Sequence, residues 1–234
     1  MKPIKKFSGI ITAVTDLSPT AREVTIQPSE PIDFVAGSFV NVFISSGNEK
    51  LRRAFSIASS EQETNKLTLA IRLNPKGAAT PLFWQPDIVG TQVELMGPLG
   101  LNTADKIQKD KVFLFGFGIG AGVVKSLAEH FASKATTRNL TIMTGSRSEG
   151  EVVYETYFDT LAKTHPHTNI KYVVSTPATN KKYLTGYIQH HLNDYNFDNS
   201  DVYVCGQEIA CDALVESVRQ HNPSNCQYFI EGFH

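Results

Sequence analysis

The segment Arg52–Ser60 (RRAFSIASS) combines residue types that can bind a charged, planar ligand. Its apolar residues predict a β-strand, and the guanidinium of Arg53 is a fixed, planar donor suited to a phosphate or a carboxylate. The ring of Phe55 can stack on a planar group, with the hydroxyl of Ser56 beside it. Each residue also has an ordinary explanation: a surface salt bridge for Arg53, core packing for Phe55 and a satisfied strand hydroxyl for Ser56. The ligand therefore has to be identified from the rest of the chain.

A glycine-rich segment, Leu114–Gly122 (LFGFGIGAG), follows a continuous apolar run and precedes a stretch with helical spacing. Glycine lets the backbone approach a ligand closely, and the amides at a helix N-terminus favour a phosphate. The third glycine has the wrong offset for the dinucleotide fingerprint G-x-G-x-x-G, and Ser146 and Arg147 stand where that fingerprint has a ribose-binding acid. The segment predicts a nucleotide site unlike an ordinary Rossmann site; the alternative is a tight, closely packed turn.

A second candidate for anion binding is Asn74–Pro81 (NPKGAATP), in which Gly77 precedes a short predicted helix. Thr80 is a suitable N-cap, Pro81 suits the first helical position, and Pro86 ends the helix. Free amides and a hydroxyl at this helix end favour a phosphate. By itself the pattern is more typical of a capped surface helix, but it gains meaning beside the arginine-headed strand and the other glycine-rich turn.

The elements that position these residues change character along the chain. The first part predicts an antiparallel barrel or sandwich from short β-type runs separated by turn residues: SGIITAV, EVTIQ, FVNVFI, AFSIAS, KLTLAIRL and TQVELMG. From KVFLF to CQYFI, strand patterns alternate with helix patterns, including helices near YETYFDTLAKT and GYIQHHL, which predicts a parallel sheet covered on both faces. The polar stretch Thr103–Asp110 separates the two parts, so we predict two domains, 1–105 and 106–234.

The composition argues against several classes of protein. The 234-residue chain has a formal net charge of −1, which gives no long-range field for nucleic acid or an anionic membrane. No apolar run approaches the roughly 18 residues of a membrane span, and the start, MKPIKKFSGI, lacks the apolar stretch of a secretory signal. Cys205, Cys211 and Cys226 form no C-x-x-C pair, and the seven histidines show no metal-ligand pattern. We therefore predict no metal site and a cytoplasmic, reducing location.

Six segments, in the family's order, resemble motifs of the ferredoxin–NADP reductase superfamily. RAFSIASS, residues 53–60, resembles its R-x-Y-S flavin motif, and GAAT, residues 77–80, resembles its G-x-x-S/T flavin-phosphate motif. GTQVELMGPLG, residues 90–100, is similar to the hairpin that closes its flavin barrel. GFGIGAG, VYVCGQEIACDAL and the terminal IEGFH occupy the places of its nicotinamide loop, its C-G-P segment and its terminal glutamate. The resemblance implies an N-terminal antiparallel β-barrel that binds flavin, followed by a C-terminal α/β parallel-sheet domain that binds the nicotinamide nucleotide.

The resemblance also implies the residues of the site. A hydride would pass from nicotinamide C4 to flavin N5 between the domains, and Ser56, Cys205 and Glu231 would form the catalytic, polar frame. The residues implied for FAD are Arg53, Ala54, Phe55, Ser56, Ile71, Gly77, Ala78, Ala79, Thr80 and Phe233. Those implied for NADP(H) or NAD(H) are Gly116, Phe117, Gly118, Ile119, Ser146, Arg147, Ser175, Lys181, Tyr183, Cys205 and Gly206.

Coenzyme choice depends on the segment VVSTPATNKKYLTGY. In NADPH-using members of the family a Ser-Arg pair and a later Lys-x-Tyr hold the 2′-phosphate of the adenosine. Ser175 matches the first element, and Lys181 with Tyr183 matches the second. Thr176 stands in place of the arginine, which lysine does not fully replace, but Lys182 adds a second positive charge. Since the segment offers no acid for a free 2′-hydroxyl, we predict a modest preference for NADPH over NADH.

The function implied is a flavin-dependent oxidoreductase that passes electrons to a separate acceptor such as ferredoxin, flavodoxin or another oxidoreductase subunit. One alternative is an NAD(P)H:flavin reductase that uses flavin as a substrate, and another is a non-catalytic electron-transfer subunit. A third is a nucleotide-binding regulatory module without catalysis, which the departures from the family motifs keep open. Phe117 and Ala121 replace the Thr and Pro of the nicotinamide loop, and Gln207 replaces the Pro of C-G-P.

Overall fold

The computed structural model describes residues 2–134 and 138–233, which form two six-stranded sheets. The first sheet is antiparallel throughout, in the order β4-β3-β6-β1-β2-β5. Its strands are β1 (Lys5–Ser18), β2 (Ala21–Pro28), β3 (Phe39–Ser46), β4 (Glu49–Ser56), β5 (Leu67–Arg72) and β6 (Gln92–Leu99). Each of the six runs predicted in this part of the chain lies on a strand, except that the strand of AFSIAS begins earlier, at Glu49, and ends at Ser56.

The first sheet curls into a barrel because its two outer strands, β4 and β5, are joined just beyond the end of β4. Ile57 forms an antiparallel bridge with Leu69, and the backbone amide of Ala58 donates to the carbonyl of Thr68 at 2.7 Å. Alternate residues of the strands point inward, so the interior consists of fully buried aliphatic side chains. These include Ile11, Val24, Ile26, Leu67, Leu69, Ile71 and Leu95. The predicted antiparallel barrel is confirmed.

The second sheet is parallel throughout, in the order β10-β9-β8-β7-β11-β12. Its strands are β7 (Lys111–Phe117), β8 (Asn139–Ser146), β9 (Thr168–Val174), β10 (Tyr183–Thr185), β11 (Ser200–Gln207) and β12 (Gln227–Phe233). The α-helices are α1 (Gly120–Ser133), α2 (Glu155–Thr164) and α3 (Glu208–Gln220). This arrangement confirms the α/β parallel-sheet prediction.

Helices cover both faces of the parallel sheet. Val112 and Leu114 of β7 lie in one apolar cluster with α1 and α2, whereas Phe113 and Phe115 lie in a second cluster with α3. All four side chains are buried, since the strand is covered on each side. The prediction that the apolar run KVFLF forms a strand buried on both faces is therefore confirmed.

Two local predictions differ from the structure, and one short strand was not predicted. The helix predicted near GYIQHHL is a single 3-10 turn, Ile188–His191, and the short strand β10 precedes it without having been predicted. The helix predicted after Thr80 is a 3-10 helix, Thr80–Trp84, whose cap residue is Ala79 and which has no side-chain cap. Short segments of this kind carry too few residues for a period to be distinguishable. Among the described residues, no helix is both long and apolar enough to cross a membrane.

Candidate functional site

The second half of β4 carries a candidate phosphate ligand, Arg53. Arg53 is exposed, and its Nη1 donates at 2.8 Å to the carbonyl of Arg52; within the described ranges it forms no ion pair. Arg53 and Phe55 lie on the same side of the strand, because side chains alternate. The ring of Phe55 is half-buried and meets that of Phe83 edge-on, with 5.6 Å between centroids. The guanidinium of Arg53, which can donate hydrogen bonds to a phosphate, and the ring of Phe55 are therefore neighbours. Ser56 follows at the end of the strand.

Two residues predicted to contact FAD are inside the protein instead of on its surface. Ile71 is completely buried in the barrel core, and Ala79 is 1% exposed. Their side chains are packing residues, so any contact with a ligand has to come from their backbone. The neighbouring residue Ala78 is exposed, as is Ala54 on β4.

The hydroxyl of Thr80 is already engaged within its own loop. It accepts a hydrogen bond from the backbone amide of Asn74 at 2.9 Å and donates to the carbonyl of the same residue at 3.2 Å. The amide of Gly77 also donates to that carbonyl, at 2.9 Å. Thr80 therefore fixes the shape of the loop Asn74–Thr80 and does not cap the helix as predicted.

The glycine-rich segment turns sharply from β7 into α1, as predicted. Gly118 has φ of +55°, which favours glycine, and Gly120 packs so closely on β11 that a Cβ there would lie 2.2 Å from the carbonyl oxygen of Cys205. Ile119 caps α1 without a side-chain hydrogen bond, and the first turn contains no acidic residue. The amides of Ala121 and Gly122 donate to the carbonyls of Gly118 and Ile119 within the turn. A helix start with no side-chain cap and no acid still presents the positive end of the helix dipole, so this turn fits a coenzyme phosphate. Gly116 and Phe117 form the strand end that leads into it.

Arg72, at the end of β5, is a residue of this region that sequence reasoning missed. Its Nη1 lies 3.2 Å from the position that a Cβ on Gly118 would take, so the barrel places a cation beside the glycine-rich turn. Its Nη2 lies 3.8 Å from Oε2 of Glu151. That carboxylate oxygen is already bonded by Thr20 Oγ1 at 2.7 Å and Ser18 Oγ at 3.0 Å. The guanidinium is thus only loosely paired and strengthens the fit of the turn to a phosphate.

Helix α1 runs along the segment that follows Ser56, so the two predicted cofactor sites adjoin. Lys125 Nζ donates to the carbonyl of Ala58 at 3.1 Å, and Ser126 Oγ donates to the carbonyl of Ser59 at 2.8 Å. A Cβ on Gly122 would lie 3.2 Å from that of Ala58, which shows how closely the helix approaches the barrel. The end of the flavin-motif strand and the first turns of α1 are therefore held as one unit.

Cys205 and Glu231 are opposite each other on the neighbouring strands β11 and β12. Cys205 is 1% exposed, and burial raises the pKa of its thiol well above the usual value, so the thiol stays protonated. Burial also raises the pKa of the Glu231 carboxyl, against hydrogen bonds from Asn102 that lower it. Of the predicted polar frame, the structure brings these two together at the carboxyl end of the sheet, while Ser56 lies on β4 of the barrel.

Gly206 and Phe233, two further predicted site residues, lie at the same edge of the parallel sheet. Gly206 has φ of +158°, and a Cβ on it would lie 2.5 Å from the Cβ of Phe117, so the ring of Phe117 needs glycine there. Phe233 is half-buried and packs against the apolar cluster that contains Ala121 and Cys205. The aromatic residue near the end of the chain is consequently anchored beside the predicted nicotinamide loop.

Three other predicted coenzyme residues meet where β8 and β9 end. The amide of Ser175 donates to the carbonyl of Ser146 at 3.0 Å, and its hydroxyl donates to the carbonyl of Arg147 at 3.2 Å. The side chain of Arg147 is exposed. In open parallel sheets, ligands bind outside the carboxyl ends of the strands, and these residues lie at that edge.

The segment around the lysine pair contains no acid, but two acids from another part of the chain lie beside it. Lys182 Nζ lies 2.6 Å from Glu155 Oε1 and 2.5 Å from Asp159 Oδ2, and the hydroxyl of Tyr183 donates to Glu155 at 2.9 Å. Both acids come from α2, which is distant in sequence from the lysines. Both lysines are exposed, and the single positive charge of Lys182 is paired with two carboxylates. Among the described residues, no three His, Cys, Asp or Glu side chains converge as metal ligands.

Two domain families match this chain. The family model described as the oxidoreductase FAD-binding domain matches residues 10–103, and that of the oxidoreductase NAD-binding domain matches residues 114–228. The first match covers the barrel strands, and the second covers the glycine-rich turn and most of the parallel sheet. These matches confirm FAD and a nicotinamide dinucleotide as the cofactors.

Whole proteins and solved structures are similar over almost the entire chain. The chain is 29% identical to the phenol 2-monooxygenase reductase component DmpP of Pseudomonas sp. (strain CF600), over 99% of this chain and 67% of that protein. It is 24% identical to ferredoxin–NADP reductase B of Sorangium cellulosum (strain So ce56), over 92% of this chain and 90% of that protein. The crystal structure of the Amycolatopsis cytochrome P450 reductase GcoB shares the fold, with a TM-score of 0.90 and 22% identity, over 100% of this chain and 71% of that one. The chain spans about two thirds of the length of the oxygenase reductases that it matches.

Proposed function

Because this chain belongs to the ferredoxin–NADP reductase superfamily, we propose that it is a reductase that transfers electrons from NAD(P)H through FAD to a separate protein acceptor. When bound, the nicotinamide coenzyme supplies a hydride and the flavin accepts it. The protein contributes the binding, the orientation and the exclusion of water that this transfer requires. The acceptor proposed is ferredoxin, flavodoxin or the oxygenase subunit of a larger system, since several relatives are named as reductase components of oxygenases.

One observation carries this proposal: the predicted flavin strand and the predicted nucleotide loop adjoin. Ser126 and Lys125 of α1 bond the carbonyls of Ser59 and Ala58, only a few residues after Ser56. Hydride transfer needs the two rings within roughly 3 to 3.5 Å of each other. Sites that were fixed on distant surfaces would not support it, whereas two sites joined by direct hydrogen bonds do.

We assign roles to the residues on this basis. Arg53 holds a flavin phosphate and Phe55 covers the flavin ring, because both lie on one side of β4 and Arg53 forms no ion pair among the described residues. The uncapped start of α1 and Arg72 hold the coenzyme phosphates. Glu231 holds or moves a proton beside the reacting rings, and the neutral thiol of Cys205 lies next to it.

The domain division is proposed at residues 105 and 106, within the connection between the end of β6 and the start of β7. We further propose a cytoplasmic location, for which the three free cysteines are the support, because an oxidising compartment would favour their pairing or modification. Neither proposal bears on the chemistry of the site.

The test is to purify the protein, record its visible spectrum and identify the flavin released by heat. We expect FAD, and anaerobic addition of NADH or NADPH should bleach the flavin absorbance. Reoxidation by ferredoxin, flavodoxin or free FMN then identifies the class of acceptor. A protein that binds no flavin but reduces added flavin is a flavin reductase, and one that binds NAD(H) without reducing any flavin is a regulatory module; either result overturns the proposal.

A further inference from the structure

Asn102 ties the connection that follows β6 to the last strand of the other sheet. Its Nδ2 donates to the carbonyl of Ile230 at 2.9 Å and to Oε1 of Glu231 at 2.8 Å. A single amide group thus bonds two consecutive residues of β12. The first bond fixes the position of the strand, and the second fixes the rotation of the Glu231 side chain.

The backbone that carries Asn102 is itself held rigidly. Gly37 packs so closely that a Cβ there would lie 2.5 Å from the carbonyl oxygen of Asn102, and its φ of +94° favours glycine. Two residues on, the amide of Ala104 donates to the carbonyl of Ala36 at 2.8 Å. Since these contacts fix the segment against the barrel, the amide of Asn102 is a donor with a defined direction.

The groups that face Glu231 leave its carboxylate dependent on this donor. Cys205 lies opposite it on β11, and the buried groups Tyr203 and Cys211 also interact with its charge. All three are neutral, because burial raises their pKa values. In the part of the chain that the structure describes, no cation forms an ion pair with Glu231, and Asn102 is its hydrogen-bond donor.

We propose that Asn102 is the positioning residue of Glu231: from the flavin-binding side of the chain, it sets the orientation and the protonation of this carboxylate. The inference rests on the proposed function, in which Glu231 lies beside the reacting rings. A hydrogen bond to the ionised form lowers the pKa of a carboxyl, and burial alone raises it. Without the side chain of Asn102, only the backbone hydrogen bond from residue 102 opposes the effect of burial, so the Glu231 carboxyl holds its proton to higher pH and loses the bond that fixes its rotation.

The direct test measures the protonation of Glu231 in the holoprotein. The 13C chemical shift of the glutamate carboxyl carbons is followed against pH, and Glu231→Gln identifies the resonance by its loss. Asn102→Ala should raise the folded-state pKa of Glu231 by about one unit, the effect of losing one charge-assisted hydrogen bond. Asn225→Gly is the matched control, because Asn225 bonds Asn199 near the opposite end of β12 and glycine accommodates its φ of +51°.

A second readout is the pH profile of hydride transfer in stopped-flow experiments. Asn102→Ala should slow the hydride step about tenfold at neutral pH and move its acidic limb upward, with the flavin content and the coenzyme dissociation constant unchanged. Asn102→Asp keeps the shape of the side chain and puts a second carboxylate against Glu231, so the pair should titrate at a higher apparent pKa. This second variant decides the question where the alanine variant does not fold.

The outcomes separate the two proposals. An unchanged Glu231 pKa and an unchanged pH profile in both Asn102 variants overturn the positioning role of Asn102. If Glu231→Gln transfers hydride at the wild-type rate, the role of Glu231 in the proposed function is wrong, while the carbon shifts still report whether Asn102 controls its protonation. Equal effects of Asn225→Gly and Asn102→Ala would reduce the contact to a structural anchor of the strand and would also overturn the inference.

Discussion

Ser126 Oγ donates a buried hydrogen bond of 2.8 Å to the backbone carbonyl of Ser59, and so joins the first α-helix of the parallel sheet to the barrel. Ser59 in turn accepts, through its hydroxyl, a hydrogen bond from the amide of Thr68 at 3.1 Å. The segment that follows the flavin motif is therefore held from both sides. A displacement of α1 has to move this segment as well.

The first prediction is that Ser126→Ala weakens this connection. The variant leaves the buried carbonyl of Ser59 without its donor, which should lower the free energy of unfolding by about 1 to 3 kcal/mol in urea denaturation. Ser133→Ala is the matched control, because its hydroxyl bonds a carbonyl of its own helix, that of His130, at 3.0 Å. Equal decreases in the free energy of unfolding of the two variants would show that the bond to Ser59 stabilises the protein no more than a hydrogen bond within the helix.

The second prediction concerns the flavin phosphates. Arg53→Ala should remain folded and lower the affinity for FAD roughly ten- to a hundredfold, since a charge-assisted hydrogen bond contributes about 1.5 to 3 kcal/mol. Arg52→Ala is the control, because this arginine is the adjacent residue on the opposite side of β4. The measurement is the flavin retained after dilution and gel filtration. Full flavin occupancy in Arg53→Ala would contradict the assignment.

The architecture could be predicted from the sequence because it depends on repeated local signals. Six short β-type runs gave the barrel, and the alternation of apolar strands with helix patterns gave the parallel sheet. The glycine-rich turn was also predictable, since Gly118 and Gly120 occupy positions where a side chain is strained or obstructed. The sequence did not predict the structure of segments of three or four residues, such as β10, because they are too short to show a hydrophobic period.

The contacts between sheets could not be predicted from the sequence. Arg72 lies near Gly118, and Asn102 bonds Glu231, but each pair is separated by many residues and neither has a local pattern. Such contacts depend on how the two sheets and their connections pack together. The burial of Ile71 is a different case, because it follows the alternation of Leu67, Leu69 and Ile71 along β5 and could have been predicted from that pattern.

The third prediction is that the protein does not favour NADPH. Lys182 is already paired with Glu155 and Asp159, so it adds no net attraction for a 2′-phosphate. The wild-type protein should bind adenosine 2′,5′-bisphosphate and 5′-AMP with similar affinity in calorimetric titrations, and the double variant Lys181→Ala/Lys182→Ala, which leaves both acids unpaired, should bind the bisphosphate more weakly. Glu155→Gln/Asp159→Asn removes two negative charges and should strengthen binding of the bisphosphate about tenfold.

The control for coenzyme choice is Asp212→Asn/Glu216→Gln. It makes the same charge change on α3, which covers the other face of the sheet. A wild-type preference for the bisphosphate that disappears in the double lysine variant would show that the lysines, and not the acids of α2, determine coenzyme choice.

The last prediction is a pH dependence of stability from Glu61. Its Oε1 lies 2.8 Å from Nδ1 of His130 on α1, and its Oε2 accepts the amide of Ala36 at 2.9 Å. Burial alone would raise the pKa of Glu61, but these hydrogen bonds, with the charges of His130 and Lys134, hold it below its usual value of 4.5. A lowered folded-state pKa gives stability that is present above pH 4.5 and lost as the pH falls through the folded value. Glu61→Gln should therefore lower the free energy of unfolding by about 1 kcal/mol at pH 7, measured by urea unfolding, and by much less near pH 3.

The control is Glu63→Gln, which removes only an exposed ion pair with Lys66, 2.7 Å long, and should change the free energy of unfolding little at either pH. A deficit in Glu61→Gln that stays constant from pH 7 to pH 3 would show that the ionised carboxylate is not what joins the barrel to α1.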